Sequence, residues 1–340
     1  MQSEQQGDRI QVALEELEEL IEKRLTKLQY SPSEVQVIKQ VIMYSQLVDG
    51  TQGVVKLLME GIGSITQPNP SQYAPRVVHD GGIALRVDGG SSLGMVVLDF
   101  AVHKAIERAK ESGLAMVGVF HSCNSTGALG YYVEKIASHG LVGIVSSGST
   151  PTVAAFGSAE RNFGTNPLAY AIPGPHEQPL VVYDASTSAM SFWGVKQYAI
   201  DKKPLPEDVA LDKDGRPTTD ASLACVLKTF GGAKGSGISL LLEYLHGALV
   251  GATPQDTTNW GSFVLAFSPN IFQLGQEQVE NNTIQMMQRI GASRPCEGFS
   301  RVCLPGEQSR TKRKAVEEQK WISLPASIIH SLRSLVTENN

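Results

Sequence analysis

Residues 94–120, GMVVLDFAVHKAIERAKESGLAMVGVF, join two periodicities in one run. Val97, Ala101, Ala105, Ile106 and Ala109 recur at three- and four-residue steps, so residues 94–112 read as a helix with one apolar face, and Gly113 is its stop. Residues 114–120 follow as a short apolar strand. A polar loop (121–126) then leads to a second helix over 127–138, closed by Gly140, and to a strand at 141–145. Helix and strand alternate outward from there. Residues 76–79 and 83–88 pair across Asp80-Gly81-Gly82. Further strands are expected at 168–172, at 180–183 ending on Asp184, and at 263–267, with an apolar helix over 237–250 behind the glycine-rich turn 231–235. The fold class is α/β.

The ends of the chain read as helical. Ile10, Leu14, Leu17, Ile21, Leu25 and Leu28 predict one helix, with glutamates early and lysines late, as the helix dipole prefers. Ser31-Pro32-Ser33-Glu34 is a capping box with proline at the first helical position, and the helix it opens runs through Ile38, Val41 and Ile42 to a stop before Asp49-Gly50. Val54, Leu57 and Leu58 suit a short third helix, residues 67–75 a linker, and helices resume from about Gly275.

With 340 residues the chain is long enough for two or three packed domains. Its 29 basic and 34 acidic residues give a net charge of −5 with no basic stripe, which argues against nucleic acid and anionic membranes. No run of 18 apolar residues exists to span a bilayer, and the first ten residues carry no apolar export core. Cys123, Cys225, Cys296 and Cys303 stand apart without zinc spacing, so a reducing, cytoplasmic setting and no metal site are expected.

Nucleotide signatures are absent: there is no G-x-G-x-x-G after a strand and no Gly-Lys-Ser/Thr loop. Gly231-Gly-Ala-Lys234-Gly-Ser-Gly237 is the nearest approach. It reads either as a phosphate cradle of backbone amides plus Lys234 or as a flexible turn with a solvated lysine. The run Lys312-Arg313-Lys314 reads as a solvated helix face. His79, His103, His139, His176 and His246 are scattered, whereas His121 ends a strand before a polar loop, where active-site groups often lie, although a structural or surface histidine is the safer reading.

Seven segments, in order, resemble the malate/L-lactate dehydrogenase family, which is unrelated to the Rossmann-type enzymes of similar name. They are Val87-Asp-Gly-Gly-Ser-Ser-Leu-Gly94, Gly127-Ala-Leu-Gly-Tyr-Tyr132, Phe163-Gly-Thr-Asn-Pro-Leu168, Tyr183-Asp-Ala-Ser-Thr-Ser188, Asp214-Gly-Arg-Pro-Thr-Thr-Asp220, Gly231-Gly-Ala-Lys-Gly235 and Leu304-Pro-Gly-Glu307. The resemblance covers roughly residues 35–310. It implies a mixed, mostly antiparallel, non-Rossmann sheet, NAD or NADP as cofactor, a small 2-oxo or 2-hydroxy acid or cyclic imino acid as substrate, and a homodimer. Three parts follow from it: a helical part at 1–70 plus 291–340, a small α/β part at 71–121 plus 226–290, and a cofactor part at 122–225. It also implies cofactor contacts at Ser149, Asp184, Ala185, Ser186, Lys234, Gly306, Glu307 and Gln308, and a substrate contact at Thr165. Without a ligand, Asp184 would cap the following segment and Thr165-Asn166-Pro167 would be a turn.

The departures from the family pattern bear on chemistry. Where the family has Asp-Ser-His-Gly-Val-x-Arg, this chain has Gly50-Thr51-Gln52-Gly53-Val54-Val55-Lys56. The family's proton-transferring histidine thus falls on Gln52 and its carboxylate-binding arginine on Lys56. The second histidine falls on Ser125. A placed acid contributes about 10²–10⁴ in rate, or roughly 3–5.5 kcal/mol of barrier. An amide cannot titrate, a serine needs activation, and Lys56 keeps the charge but not the bidentate fork. Three readings follow: an oxidoreductase with an altered site, a silent relative that binds NAD(P), and a structural partner of an active paralogue. A protonated cyclic imine would suffer least from the missing acid. His121, four residues before Ser125, is the candidate replacement acid.

Overall fold

The computed structural model describes residues 9–48, 50, 52–61, 63–175, 179–253 and 258–337. Of the residues named above, Asp49, Thr51, His176 and the first eight lie outside this set.

The chain opens on a strand, not a helix: β1 (Arg9–Ala13) pairs antiparallel with Trp321–Pro325 near the other end. Ile10 therefore belongs to a strand, because Arg-Ile-Gln-Val-Ala alternates in steps of two and buries Val12, while the three-and-four stepping starts only at Leu14. Helix α1 (Leu14–Lys27) buries Leu17, Ile21 and Leu25. In α2 (Pro32–Gln46) the expected capping box is present, with the Ser31 and Glu34 side chains each bonding the other's backbone N–H. The third helix shrinks to a 3₁₀ turn, Val54–Leu57.

The central sheet is built from β2 (Arg76–Asp80), β3 (Ala84–Asp88), β4 (Leu114–Ser122), β5 (Val142–Ser147), β6 (Leu168–Pro173), β7 (Pro179–Ala185) and a late strand, Trp260–Phe267, inserted between β4 and β5. Only the β3–β4 pair is parallel. Between those two strands runs α3 (Gly94–Ser112), ended by Gly113 at φ 80° as the sequence predicts. The next helix, α4 (Gly130–Ala137), begins three residues later than its apolar pattern. α3 and α4 pack on the sheet with α2 against α3.

α5 (Phe192–Ile200) was not foreseen, since its small hydrophobic face has no repeat. It joins the short strands β8 (Ala210–Leu211), β9 (Pro217–Thr218) and β10 (Val226–Leu227) around a separate core of Val153, Phe163, Val195, Leu205, Val209 and Leu227. α6 (Ala233–Glu243) starts inside the glycine-rich turn and passes into a wide turn at Tyr244–Ala248. The inserted strand is β11 (Trp260–Phe267). Its pairing to β4 on one side and β5 on the other puts strands from both sides of residue 121 in one sheet. The C-terminal part is not helical throughout. α7 (Gln276–Gly291) and α8 (Glu307–Gln319) are followed by β12 (Trp321–Pro325), the partner of β1, and then by α9 (Ala326–Thr337). Ile329 and Leu332 of α9 join the α1–α2 core.

Candidate active site

A small cavity of about 100 Å³ gathers Gln52, Lys56, Ser125, Ser149 and Thr165, five residues separated by more than a hundred positions in sequence. Local rules place each of them. The Gln46 side chain at the end of α2 accepts a hydrogen bond from Val54 N at 2.9 Å, fixing the turn that carries Gln52 and Lys56. A Cβ at Gly53 would lie 2.2 Å from that same Gln46 oxygen, so a larger residue there would displace the side chain that fixes the turn. Val54 and Leu57 are sunk in the core, and Lys56 is buried with them. Ser125 sits in the loop between β4 and α4 and accepts from Gly127 N at 3.0 Å. Ser149 follows β5 and Thr165 precedes β6. Ser191 caps α5, bringing Phe192 and Trp193 to the rim, and Trp260 closes the set from the start of β11.

Lys56 dominates the electrostatics. It is 2% exposed, and its Nζ donates to Gly63 O at 3.0 Å. Among the described residues no carboxylate lines the cavity. Burial without a counter-charge pushes its pKa down to about 7. Two further lining groups are buried without a protein partner, the Thr152 hydroxyl and the Trp260 indole nitrogen. Buried polar groups are normally satisfied, so two orphaned atoms on residues that line one cavity mark it as unusual.

A second cavity of about 400 Å³ adjoins the first, with Gln52 in the wall of both. Asp184 and Gly306 line it together with Tyr44, Glu134, Arg310 and Arg313. The Asp184 carboxylate accepts from Gly130 N at 2.8 Å. Asp184 is itself exposed at the end of β7, yet the protein packed around its carboxylate pushes the pKa up to about 6, against the pull of the Gly130 and Leu129 amides. Gly306 adopts φ 82° and lies so close to β7 that a Cβ would be 2.6 Å from Val182 O.

The remaining expected contacts fall elsewhere. Lys234 is exposed on the first turn of α6 and lines neither cavity, so it shares no crevice with Asp184 in the single chain. Ala185 ends β7 opposite Leu168, and Ser186 bonds Ser188. Glu307 pairs with Arg301 and accepts from Leu304 N at 3.1 Å; Gln308 is directed to Cys303. Arg313 corrects the reading of its basic run as a solvated face. It is paired with Glu134 at 2.5 Å and lies 4.6 Å from the Tyr44 ring centroid. Trp193, Trp260 and Thr152 were missed as well. A signal existed in the tryptophan count: the chain has three, and two of them line one 100 Å³ cavity.

His121 is committed to another cluster. Its Nδ1 lies 3.0 Å from Asp88 Oδ1, its Nε2 2.9 Å from Ser91 Oγ, and Tyr73 OH donates to Asp88 Oδ2 at 2.9 Å. The order Ser–His–Asp resembles a hydrolytic triad, but the Ser91 amide is already spent on His121 O, Ser91 is 4% exposed, and the cluster lines neither cavity. Both ring nitrogens are engaged, which leaves none to serve beside Ser125. Burial opposes ionisation of Asp88, yet bonds from Gly90 N, Tyr73 and His121 hold its carboxyl below the usual range. Among the described residues no group of three His, Cys, Asp or Glu side chains is placed to hold a metal ion, and no helix is long and apolar enough to cross a membrane.

This mostly antiparallel architecture is shared with solved dehydrogenases. Sulfolactate dehydrogenase from Methanocaldococcus jannaschii superposes with a TM-score of 0.82 at 26% identity, covering 96% of both chains. Malate dehydrogenase from Entamoeba histolytica, at 21% identity, has the same fold with a TM-score of 0.84 over 96% of this chain and 97% of that one. The malate/L-lactate dehydrogenase family model matches residues 12–333, and the chain belongs to that family. L-sulfolactate dehydrogenase of M. jannaschii is 33% identical over 77% of this chain and 78% of its own length. The Delta(1)-pyrroline-2-carboxylate reductase of Pseudomonas fluorescens is 31% identical over 96% of this chain and 99% of its own.

Proposed function

We propose that this chain is an NAD(P)-dependent oxidoreductase that interconverts a small 2-oxo and 2-hydroxy acid, or reduces a cyclic imino acid, through an altered active site. The observation that carries the reading is the convergence of Gln52, Lys56, Ser125, Ser149 and Thr165 on one cavity. The residues present fit a nicotinamide dinucleotide: Thr152 and Trp260, whose hydroxyl and indole N–H have no partner, line the small cavity, and the adjoining one offers Asp184, the close-packed Gly306 backbone and a wall of mixed charge from Arg310, Arg313 and Glu134. Bound there, a reduced nicotinamide supplies a hydride. The chain's own groups do the rest. Lys56 attracts the substrate carboxylate, Gln52 and Ser125 hydrogen-bond without titrating, and Phe192, Trp193 and Trp260 exclude water. Family relatives named for sulfolactate and pyrroline-2-carboxylate support both substrate types.

A second copy completes the proposal. α6 and the turn after it expose Leu240, Leu241, Tyr244 and Leu249, each more than half exposed. A contiguous apolar face of this kind suits a homodimer, and the exposed Lys234 stands on the same helix.

The test is a fluorescence titration with NADH and NADPH, followed by turnover of a pyrroline- or piperideine-2-carboxylate against a 2-oxo acid. Saturable binding with turnover of either class supports the reading. Saturable binding with no turnover on either substrate favours the silent relative, and no binding of either cofactor sinks both.

A further inference from the structure

We propose that Lys56 is the proton donor and acceptor of this site, in addition to holding the substrate carboxylate. The inference rests on the oxidoreductase reading above and specifies how a site without imidazole completes a carbonyl reduction.

The geometry carries it. An ammonium has three N–H bonds. One of those of Lys56 is used by Gly63 O at 3.0 Å, leaving two for the cavity. One of them can hold a carboxylate oxygen and the other the neighbouring carbonyl oxygen of a 2-oxo acid, since those two oxygens lie on adjacent carbons. The alternatives in the cavity are poor acids. Gln52, Ser125, Ser149, Thr152, Thr165 and Ser191 do not titrate near neutrality, and the Trp260 indole only donates. The charged and titratable surroundings are sparse. Among the described residues no carboxylate or histidine lines the cavity, and the Nζ atoms of Lys196 on α5 and of Lys56 lie 4.8 and 6.0 Å from the Trp193 ring centroid. Burial pushes the pKa of Lys56 down to about 7, the range in which a general acid works best at neutral pH.

The step balances. The carbonyl carbon of the 2-oxo acid receives a hydride from a reduced nicotinamide, and its oxygen takes a proton as one Lys56 N–H bond breaks and an O–H bond forms. The neutral amine regains its proton from water. In the oxidative direction the neutral amine accepts the hydroxyl proton as the carbon gives up its hydride. A cyclic imine that arrives protonated needs no such donor, so the two substrate classes should depend on Lys56 differently.

The experiment has two arms. First, with uniformly ¹³C-lysine-labelled free protein, the Cε resonance missing from Lys56→Arg is assigned to Lys56 and titrated by NMR, a readout that needs neither cofactor nor turnover. A midpoint within about a unit of 7 is expected; a midpoint above 9 overturns the proposal, because such an ammonium holds its proton through the neutral range. Second, kcat is measured against pH for the wild type and for Lys56→Arg, which keeps the charge but cannot give up a proton. For a 2-oxo acid, Lys56→Arg should lower kcat about 10²-fold or more and flatten the profile between pH 6 and 9, while reduction of a protonated cyclic imine changes far less. In Lys56→Ala, added methylamine should restore kcat for the 2-oxo acid in proportion to its concentration. Where Lys56→Arg fails to fold, as judged by its melting transition, this amine rescue and the titration decide. An unchanged profile in Lys56→Arg, or equal loss on both substrate classes with no amine rescue, overturns the donor role while leaving the oxidoreductase standing. A wild-type chain that binds cofactor and turns over neither class overturns both.

Discussion

Two polar clusters flank the loop after β4, one partly buried and one deeply buried, and they are built on opposite principles. Around His121 every group is answered. Asp88 is held by Gly90 N, Tyr73 and His121, and the far side of the imidazole meets Ser91. Around Lys56 little is answered. A cation with one hydrogen bond shares a cavity with an orphaned hydroxyl and an orphaned indole. Buried polar groups cost free energy unless paired, so the first cluster reads as scaffold and the second as a place kept ready for something else. The histidine at the end of β4 has both ring nitrogens committed to neighbours, and the lysine that looked like a weakened arginine is the group out of balance.

The largest expected effect that breaks or keeps this contrast is on stability. Its pKa of about 7 in the folded chain, against roughly 10.4 unfolded, means Lys56 is a burden on the folded state in full below pH 7 and relieved as pH climbs to about 10. Lys56→Met should therefore stabilise the ligand-free protein, by at most on the order of 4–5 kcal/mol at pH 6, with the gap closing toward pH 10. Denaturant melts at both pH values measure it, and a less stable Lys56→Met variant at pH 6 would mean the ammonium is already compensated.

Next comes His121→Ala. Stranding Asp88 and Ser91 should cost about 1–3 kcal/mol and leave NADPH affinity within a factor of two. A large loss of affinity without loss of stability would move His121 into the site. Thr152→Val should cost the free protein about 1 kcal/mol or less, or even stabilise it, because its hydroxyl has no partner to lose, yet it should weaken cofactor or substrate binding. Isothermal titration beside a melt separates the two effects. Smallest in stability is Leu240→Lys on the exposed face of α6, within about 0.5 kcal/mol. It should shift the chain from dimer to monomer in light scattering, and an unchanged mass would place any dimer contact elsewhere.

Much of this was legible in the sequence where physics is local. The bounds of α3 and its Gly113 stop, the capping box of α2 and the β2–β3 hairpin all rest on neighbours within a few residues. The first helix was over-extended to Ile10 because an alternating strand joins a helical stripe without a turn, and its partner β12 lies more than 300 residues away. The same limit applies to the site. The convergence of Gln52, Lys56 and Ser125 followed from motif order, but the want of a counter-charge for Lys56 and of partners for the Thr152 hydroxyl and the Trp260 indole depends on what other segments fail to bring. Arg313 shows the reverse case: its run of positive charge looks solvated, and only Glu134 and Tyr44, far off in sequence, bury it.

The central claim is that the unsatisfied cluster is where the redox ligand sits. A crystal structure of the chain with NADPH and an unreactive 2-oxo acid analogue tests it most directly. The account predicts the nicotinamide and the analogue between Gln52, Ser125 and Trp193, with a carboxylate oxygen on Lys56 and the orphaned Thr152 and Trp260 donors engaged. Density for both molecules away from this cavity, with Lys56 still bonded to Gly63 alone, would contradict it.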